Sequence, residues 1–442
     1  MCKPESIERA LTGQQNLVVI IKNKVEKRVV THAQIHEAPE MNLPFRLDGQ
    51  AQPELPASHY IDNRIYSDPS IFEKEQQSIL ADSWRFVCHE SELSEPLDFR
   101  LVQVAGREII LLRDEQNQLR AYLNSCPHRG AKIIREPAGR LEAGRMTCFY
   151  HLWSFDSSGR CINISQPAAY RDSGIERAHT GLLEVRVEVI FGLIFVCLGK
   201  TSESLETFLG DEVIQAMEIP FGKAELEVFH FHRTEFNANW KLFVETNNEG
   251  YHELLHLLNR TTAVAEQDYR RRNWLMYANG HASLEPARIG YENLDYEDRQ
   301  DDTLPGMEPN GHVVVNLFPD MMLNCRSTVI RIDSLVPVSA TRTVLECRGL
   351  GLRGESSETR EKRIRHHNQV WGPTGVNLAE DLWAVQTQML NMQSGNSRYS
   401  VIAREEDGPM SDETLRHFYA EWSRHTGLST HRPLARAGEK ST

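Results

Sequence analysis

The spacing of hydrophobic and polar positions changes several times along the chain, and each change marks a different kind of element. Residues 68–84, DPSIFEKEQQSILADSW, carry apolar side chains at helical spacing behind an acidic start, which predicts a helix. From Leu101 to Gly199 the pattern becomes strand-like, with runs such as LVQV, EIILLR, LRAYLN and VEVIFGLIFVCL separated by turn-formers including Ser157-Ser158-Gly159. The most apolar run, Val189–Leu198, is about half the length a membrane helix requires and reads as a buried strand. Helical spacing returns over Asn239–Asn259. Strands follow at HVVVNLF, STVIRIDSLV and TRTVLEC, then two helical segments near 358–370 and 379–392. Residues 1–55 read as an extension holding one strand-like patch, Leu17–Lys22. The break near Thr201–Glu212 is the expected boundary, giving units at 1–55, 56–205 and 206–442.

Composition narrows the class. A chain of 442 residues exceeds one ordinary core, so two principal domains are expected. The formal charge of -13 argues against a nucleic-acid partner, since phosphate binding needs concentrated Lys and Arg. It suits docking with a basic protein. The N-terminus MCKPESIERALTG lacks a continuous apolar segment, so neither a secretory signal nor a membrane span is expected. Eight cysteines are too few for a disulfide scaffold and fit a reducing cytoplasm.

Four of the chemistry-bearing residues come as two mixed pairs. Cys126-Pro127-His128 and Cys148-Phe149-Tyr150-His151 form C-x-H and C-x-x-H, each just after a strand-like run. Two Cys and two His can hold tetrahedral zinc, or can be packed core residues. Zinc sites usually pair like ligands on each loop, however. One Cys and one His per loop is what a Rieske [2Fe-2S] centre requires, with thiolates on one iron and imidazoles on the other. The remaining cysteines lack such spacing and read as small hydrophobes.

RAYLNSCPHRGAKI followed by CFYHLWSFDSSGR resembles the N-terminal domain of the α subunits of Rieske non-haem iron oxygenases, the aromatic-ring-hydroxylating dioxygenases and their relatives. The resemblance runs from about Tyr60 to Trp422. It departs from the family at Phe149, where Pro is usual, and at Leu152, where Gly is usual. It implies an α+β fold: a small all-β Rieske domain ahead of a larger antiparallel-sheet catalytic domain with flanking helices. It also implies two cofactors, a [2Fe-2S] cluster at Cys126, His128, Cys148 and His151, and a mononuclear Fe(II).

The second metal site begins from an ambiguous motif. His252-Glu253-Leu254-Leu255-His256 spells H-E-x-x-H, which on a helix puts two imidazoles on one face and resembles a zinc-protease signature. The metzincin continuation is absent from HELLHLLNRTT, so a zinc hydrolase is only a remote reading. NWKLFVETNNEGYHELLH is similar to the family segment that ends in two iron-ligating histidines. The resemblance makes His252 and His256 those ligands, one residue closer together than is usual. The competing histidines are His230, His232 and His281. WGPTGVNLAEDLWAVQTQM is similar to the later family helix and implies Asp381 as the third ligand, with Glu380 as its rival; two His and one carboxylate leave iron positions open for O2. The resemblance also assigns Glu249 as the carboxylate that links a Rieske histidine to an iron histidine across a subunit boundary.

The G-x-G-x-x-G at Gly349–Gly354 follows a strand but leads into ESSETREKRIRHH, without the βαβ context of a dinucleotide site. Electrons are therefore expected from a separate reductase or ferredoxin. The resemblance further implies a homotrimer, and SDETLRHFYAEWSRHTG looks most like α subunits that pair with a small β subunit as α3β3. The expected activity is hydroxylation or dihydroxylation of an aromatic substrate. The alternative is mono-oxygenation of a quaternary amine or sulfonate, raised by Glu249 where Asp is common.

Overall fold

The computed structural model describes residues 55–199, 203–250, 252, 255–256, 272–288, 302–373, 375–402 and 412–431. The Leu17–Lys22 patch and Glu253 lie outside these residues.

Strand β1 (Tyr60–Asp62) pairs antiparallel with a strand far down the chain, Tyr399–Val401. After α1 (Arg64–Ser67), the expected helix begins at α2 (Pro69–Glu75) and continues as one π-helical turn to Leu80. The Asp68 carboxylate accepts the Ser70 amide at 2.8 Å and Pro69 follows it, a favourable N-terminal pairing.

The strand-rich region forms three small antiparallel sheets. β2 (Arg85–His89) joins β10 (Arg186–Ile190) and β11 (Leu193–Cys197). β3 (Asp98–Val104), β4 (Arg107–Arg113), β5 (Leu119–Leu123) and β6 (Ala138–Arg140) make a four-stranded sheet. β7 (Arg145–Thr147), β8 (Ser154–Asp156) and β9 (Cys161–Asn163) make the third. The single strand expected over Val189–Leu198 is instead a hairpin. It turns at Phe191 (φ 52°) and Gly192 (φ 76°), and two successive left-handed residues give the twist a two-residue hairpin needs. Apolar residues on both sides of the turn, with no polar residue between them, had hidden it in the run.

Helices α3 (Leu205–Leu209) and α4 (Asp211–Phe221) lead into a seven-stranded antiparallel sheet. Its strands in chain order are β12 (Leu226–Phe236), β13 (Trp274–Met276), β14 (Ala282–Arg288), β15 (Gly311–Leu317), β16 (Met321–Arg326), β17 (Val329–Ser339) and β18 (Arg342–Leu352). In space they run β12-β18-β17-β16-β15-β14-β13. The sheet has two unlike faces because successive side chains alternate. Val313, Val315, Leu317, Leu323, Cys325, Ile330 and Ile332 point to one side and share a core with α3 and α4. His312, Asn316, Asn324, Arg331 and Asp333 occupy the other register, toward α5 (Trp240–Asn247), α6 (Ser357–Trp371) and α7 (Val376–Gln393). The glycines of the G-x-G-x-x-G motif sit in this packing. Gly349 and Gly351 lie inside β18, where an added Cβ on Gly351 would come within 2.8 Å of Arg363 Cδ on α6. They allow a helix to lie close over the sheet.

Residues of the N-W-K motif anchor α5. Asn239 caps the helix by accepting the Lys241 amide at 3.0 Å, and its Nδ2 donates to Ala340 O at 2.7 Å. Lys241 Nζ, Trp240 Nε1 and Trp422 Nε1 all donate to the Glu75 carboxylate, at 2.6, 3.0 and 2.6 Å. Trp422 belongs to α8 (Glu413–Thr426), so one fully buried carboxylate ties three helices together. No helix among the described residues is long and apolar enough to cross a membrane. Glu75→Ala removes the carboxylate from the buried Lys241 ammonium and leaves it only Asn239 Oδ1, at 2.9 Å, which costs about 3–5 kcal/mol. A fall in the protein's unfolding temperature, with no matching fall for Glu73→Ala on the helix surface, is the expected result.

Candidate metal centres

The two Cys/His loops hang from strand ends and are closed by backbone hydrogen bonds. After β5, Asn124 binds its own loop: Oδ1 accepts the amides of Ile133 and Ile134 at 2.9 and 3.1 Å, and Nδ2 donates to Ile134 O at 2.7 Å. Within the loop, Gly130 donates to Cys126 O at 2.8 Å with φ 72°, a turn that favours glycine. The second loop repeats the geometry between β7 and β8, with Leu152 N donating to Cys148 O at 2.9 Å. Here the left-handed position (φ 58°) falls to Leu152, which costs about 1–2 kcal/mol that a glycine would avoid.

The loops bring four donors together in two layers. Cys126 and Cys148 are 3% and 1% exposed, whereas His128 and His151 are half-buried toward the surface. The imidazole rings lie 4.5 Å apart, and His128 stacks on Trp153 at 4.7 Å. The Tyr170 hydroxyl meets His128 Nε2 at 3.1 Å, which leaves Nδ1 for another partner, and the buried His151 Nδ1 has no hydrogen-bond partner. Burial raises the Cys126 thiol above its usual range; amides of His128 and Arg129 oppose this, and the Cys148 thiol adds to it. Those amides are placed to stabilise a thiolate once a metal provides positive charge.

This donor set fits a binuclear cluster better than one zinc ion. A tetrahedral zinc would draw all four donors within roughly 4 Å of one another, given Zn–S near 2.3 Å and Zn–N near 2.0 Å. Among the described residues only two groups of three or more His, Cys, Asp or Glu bring donor atoms within 4.8 Å of each other, and this set is not one of them. Thiols inside and imidazoles outside match a cluster with one iron on each pair.

One of those two groups is His252, His256 and Asp381. The continuous helix expected over Asn239–Asn259 is not observed. α5 ends at Asn247, Asn248 and Gly250 break the path, His252 sits in a turn, and Leu255 and His256 resume helical geometry. The break frees the two imidazoles from a single helix face, and each is then held by its own carboxylate. Glu249 Oε1 lies 2.9 Å from His252 Nδ1, and Glu249 also accepts the His252 amide. Glu380 Oε2 lies 2.5 Å from His256 Nδ1. With Nδ1 occupied on both rings, both Nε2 atoms face Asp381 Oδ1, at 3.7 and 3.3 Å. Asp381 is 2% exposed, and its Oδ1 has no hydrogen-bond donor. A buried carboxylate oxygen facing two imidazole nitrogens needs a cation between them, and two His with one carboxylate is the donor set for a non-haem ferrous ion.

The structure separates residues that were rivals in the sequence. Glu380 is not in the donor group; it orients a histidine that is. His281 is fully buried, with Nε2 3.0 Å from Phe208 O and Nδ1 accepting the Phe318 amide, so both ring nitrogens are used. His230 and His232 belong to the other donor group, with His367.

A set of buried cations beside this site was not found from sequence. Arg331 is fully buried, with Nη2 donating to Asn247 Oδ1 at 3.0 Å and pairing with Asp333 at 2.6 Å. Its guanidinium stacks 3.2 Å over the Trp371 ring and lies within electrostatic reach of Asp381. Arg326 faces the same ring at 5.5 Å. Arg272 donates to His312 Nδ1 at 2.9 Å, and His312 Nε2 reaches Asn324 Oδ1 at 3.0 Å, a pattern that requires neutral His312. Burial and the flanking arginines hold His312 well below its usual pKa. Their signal in the sequence was charge at alternating strand positions, as in NCRSTVIRID.

Comparison with known proteins agrees with this geometry. Residues 83–180 match the Rieske [2Fe-2S] domain, and residues 223–427 match the ring hydroxylating alpha subunit catalytic domain. The chain is 41% identical over 372 residues to the 2-aminobenzenesulfonate 2,3-dioxygenase subunit alpha of Alcaligenes sp, covering 83% of this chain and 94% of that one. It is 36% identical over 385 residues to the methanesulfonate monooxygenase hydroxylase subunit alpha of Methylosulfonomonas methylovora, covering 85% and 92%. In fold it is similar to naphthalene 1,2-dioxygenase from Rhodococcus sp. (TM-score 0.71, 18% identity, 83% and 94% covered). It is likewise similar to a quaternary ammonium Rieske monooxygenase bound to L-carnitine (TM-score 0.68, 20% identity, 84% and 99% covered). With a Rieske [2Fe-2S] domain, a catalytic domain of the mononuclear iron type and relatives this similar along most of its length, the chain belongs to the Rieske non-haem iron oxygenase α subunits.

Proposed function

We propose that this oxygenase acts on an organosulfonate, preferably an aromatic one, with Cys126, His128, Cys148 and His151 holding the cluster and His252, His256 and Asp381 holding the iron. The observation that carries the substrate class is the buried cationic face of the sheet, Arg331, Arg326 and Arg272, beside Asn247 and Asp381. A sulfonate keeps its negative charge at all ordinary pH values, and planar guanidinium forks suit its oxygens. The same cations disfavour a quaternary amine, which would be a like charge in a low-dielectric site. The names of the two relatives above, a 2-aminobenzenesulfonate dioxygenase and a methanesulfonate monooxygenase, support the anion and leave both aryl and alkyl chains in play.

Bound iron, fed single electrons through the cluster, supplies the reduction of O2. The protein's residues do the rest. Glu249 and Glu380 hold the His252 and His256 rings with Nε2 inward, so that the metal enters a fixed triad. The arginines orient the sulfonate. For an aryl sulfonate carrying an amino group and attacked at ring carbons 2 and 3, as the first relative's name states for its own substrate, one O2, two electrons and two protons add across that bond. The carbon bearing both hydroxyl and amino groups then breaks its C–N bond and its neighbour loses a proton, releasing ammonia and leaving a catechol that keeps its sulfonate. Glu249 is the carboxylate we assign to linking the two metal sites between subunits of a homotrimer. Phe149, Tyr150 and Leu152 at the tip of the Rieske loop are 54%, 51% and 59% exposed, which supports docking against another subunit. Relatives named as subunit alpha support pairing with a second, smaller subunit. A separate reductase or ferredoxin supplies the electrons. Seven described cysteines without disulfides are in keeping with a cytoplasmic location.

Incubation with a reductase, NADH and a panel of anions tests the substrate class. Substrate-dependent oxygen uptake is expected for a sulfonate, with sulfite and an aldehyde released from an alkyl one and ammonia and a sulfonated catechol formed from a 2-aminoaryl one. Uptake only with uncharged arenes or carnitine would overturn the reading. Arg326→Gln should raise KM for the sulfonate about 10–150-fold, the worth of one hydrogen bond to a charged group. Asp381→Ala should abolish mononuclear iron while the cluster's visible spectrum survives. Glu380→Ala should lower iron affinity about 10–100-fold, as loss of a carboxylate behind a ligating histidine does. For Glu249→Gln both metals should remain while stopped-flow electron transfer from cluster to iron slows; an unchanged rate would refute the bridging role.

A further inference from the structure

The second donor group stands apart from the iron triad. His230 and His232 lie two residues apart on β12, the edge strand of the sheet, and so share a face. His367 comes from α6, which crosses that face. One ring nitrogen from each histidine lies within 4.8 Å of the other two, the same bound that the iron triad satisfies. His230 Nε2 is 3.0 Å from His232 Nδ1, and the His230 and His367 rings are 4.6 Å apart. His232 and His367 are 8% and 1% exposed, yet His232 Nε2 and His367 Nδ1 have no hydrogen-bond partner. Leaving such nitrogens unsatisfied costs about 1–3 kcal/mol each, so this arrangement calls for a ligand. Gly349, the cross-strand neighbour of His230, keeps the space open: an added Cβ would stand 3.2 Å from His367 Nδ1.

We infer that His230, His232 and His367 form a second transition-metal site, separate from the catalytic iron, for an imidazole-preferring ion such as zinc. Burial and mutual repulsion favour the neutral rings, which is the ligating form: His232 is pulled down to about 4, and His367 lies well below its usual range. The set has no carboxylate, which selects against magnesium, calcium and manganese. Zinc would draw the nitrogens to roughly 3.3 Å apart, a small ring rotation from the present positions. Cys347 is the cross-strand partner of His232 and lies with Sγ 3.9 Å from His367 Nε2, a contact that occupies this nitrogen and leaves Nδ1 for the metal. Arg331 and Arg326 add unfavourable positive charge nearby, and the ion pair of Arg331 with Asp333 offsets part of it. Half-buried His230 on the edge strand provides the way in. An ion here would clip the edge of the catalytic sheet to α6 and raise its stability.

The test uses full-length oxygenase carrying its cluster, in a His256→Ala background so that zinc has no iron triad to occupy. After exposure to zinc sulfate and desalting, about one zinc per chain is expected. The zinc should raise the unfolding temperature and should be absent when His232→Phe or His367→Gln is added. The cluster's visible spectrum in each variant reports a folded chain. No retained zinc in the His256→Ala protein, or retention undiminished in both histidine variants, would overturn the inference.

Discussion

Two carboxylate–imidazole hydrogen bonds control the catalytic half of this molecule. Glu249 on His252 Nδ1 and Glu380 on His256 Nδ1 decide which nitrogens turn toward Asp381. Without them each ring could flip, and the three inward donors would lose their common focus. The bonds impose demands on everything around them. α5 must stop at Asn247 so that Glu249 can reach back to His252, and α7 must lie alongside so that adjacent residues, Glu380 and Asp381, act on the same histidine. The Glu75 network sets α5 in place by securing its first turn to α2 and α8.

The large sheet separates stability from recognition. Its apolar face buries valines, leucines and isoleucines against α3 and α4, and contributes the hydrophobic free energy. Its other face buries charge at substantial cost, which Asp333, Asn247 and the Trp371 ring offset for Arg331. Such an arrangement is expensive as core, and it underlies the anion recognition proposed above. The Rieske loops show a comparable compromise: left-handed Leu152 accepts strain at the tip while presenting an apolar side chain, 59% exposed, where the family usually has glycine.

Much of the architecture was legible from local pattern. The alternating runs predicted the strands, and α6 and α7 lie where helical spacing placed them. The exceptions are instructive. Val189–Leu198 read as one strand because a hairpin turn can be made from Phe-Gly without polar punctuation. Asn239–Asn259 read as one helix because its break depends on Glu249 turning back to bind His252, a contact that propensity does not encode.

By itself the sequence determined the donor types and their local spacing, since C-x-H, C-x-x-H and the two later histidines are properties of short stretches. It left Asp381 and Glu380 indistinguishable, because adjacent acids on a helix differ only in the direction their side chains take, and that direction matters only once α7 packs beside His256. It also left His230 and His232 as candidate iron ligands, until folding joined them to His367, separated by 135 positions in the chain from His232. The buried arginines were visible only as charges in strands. Which face of the sheet they occupy, and what lies opposite, is a matter of register and packing, and these long-range contacts are set by the tertiary structure alone.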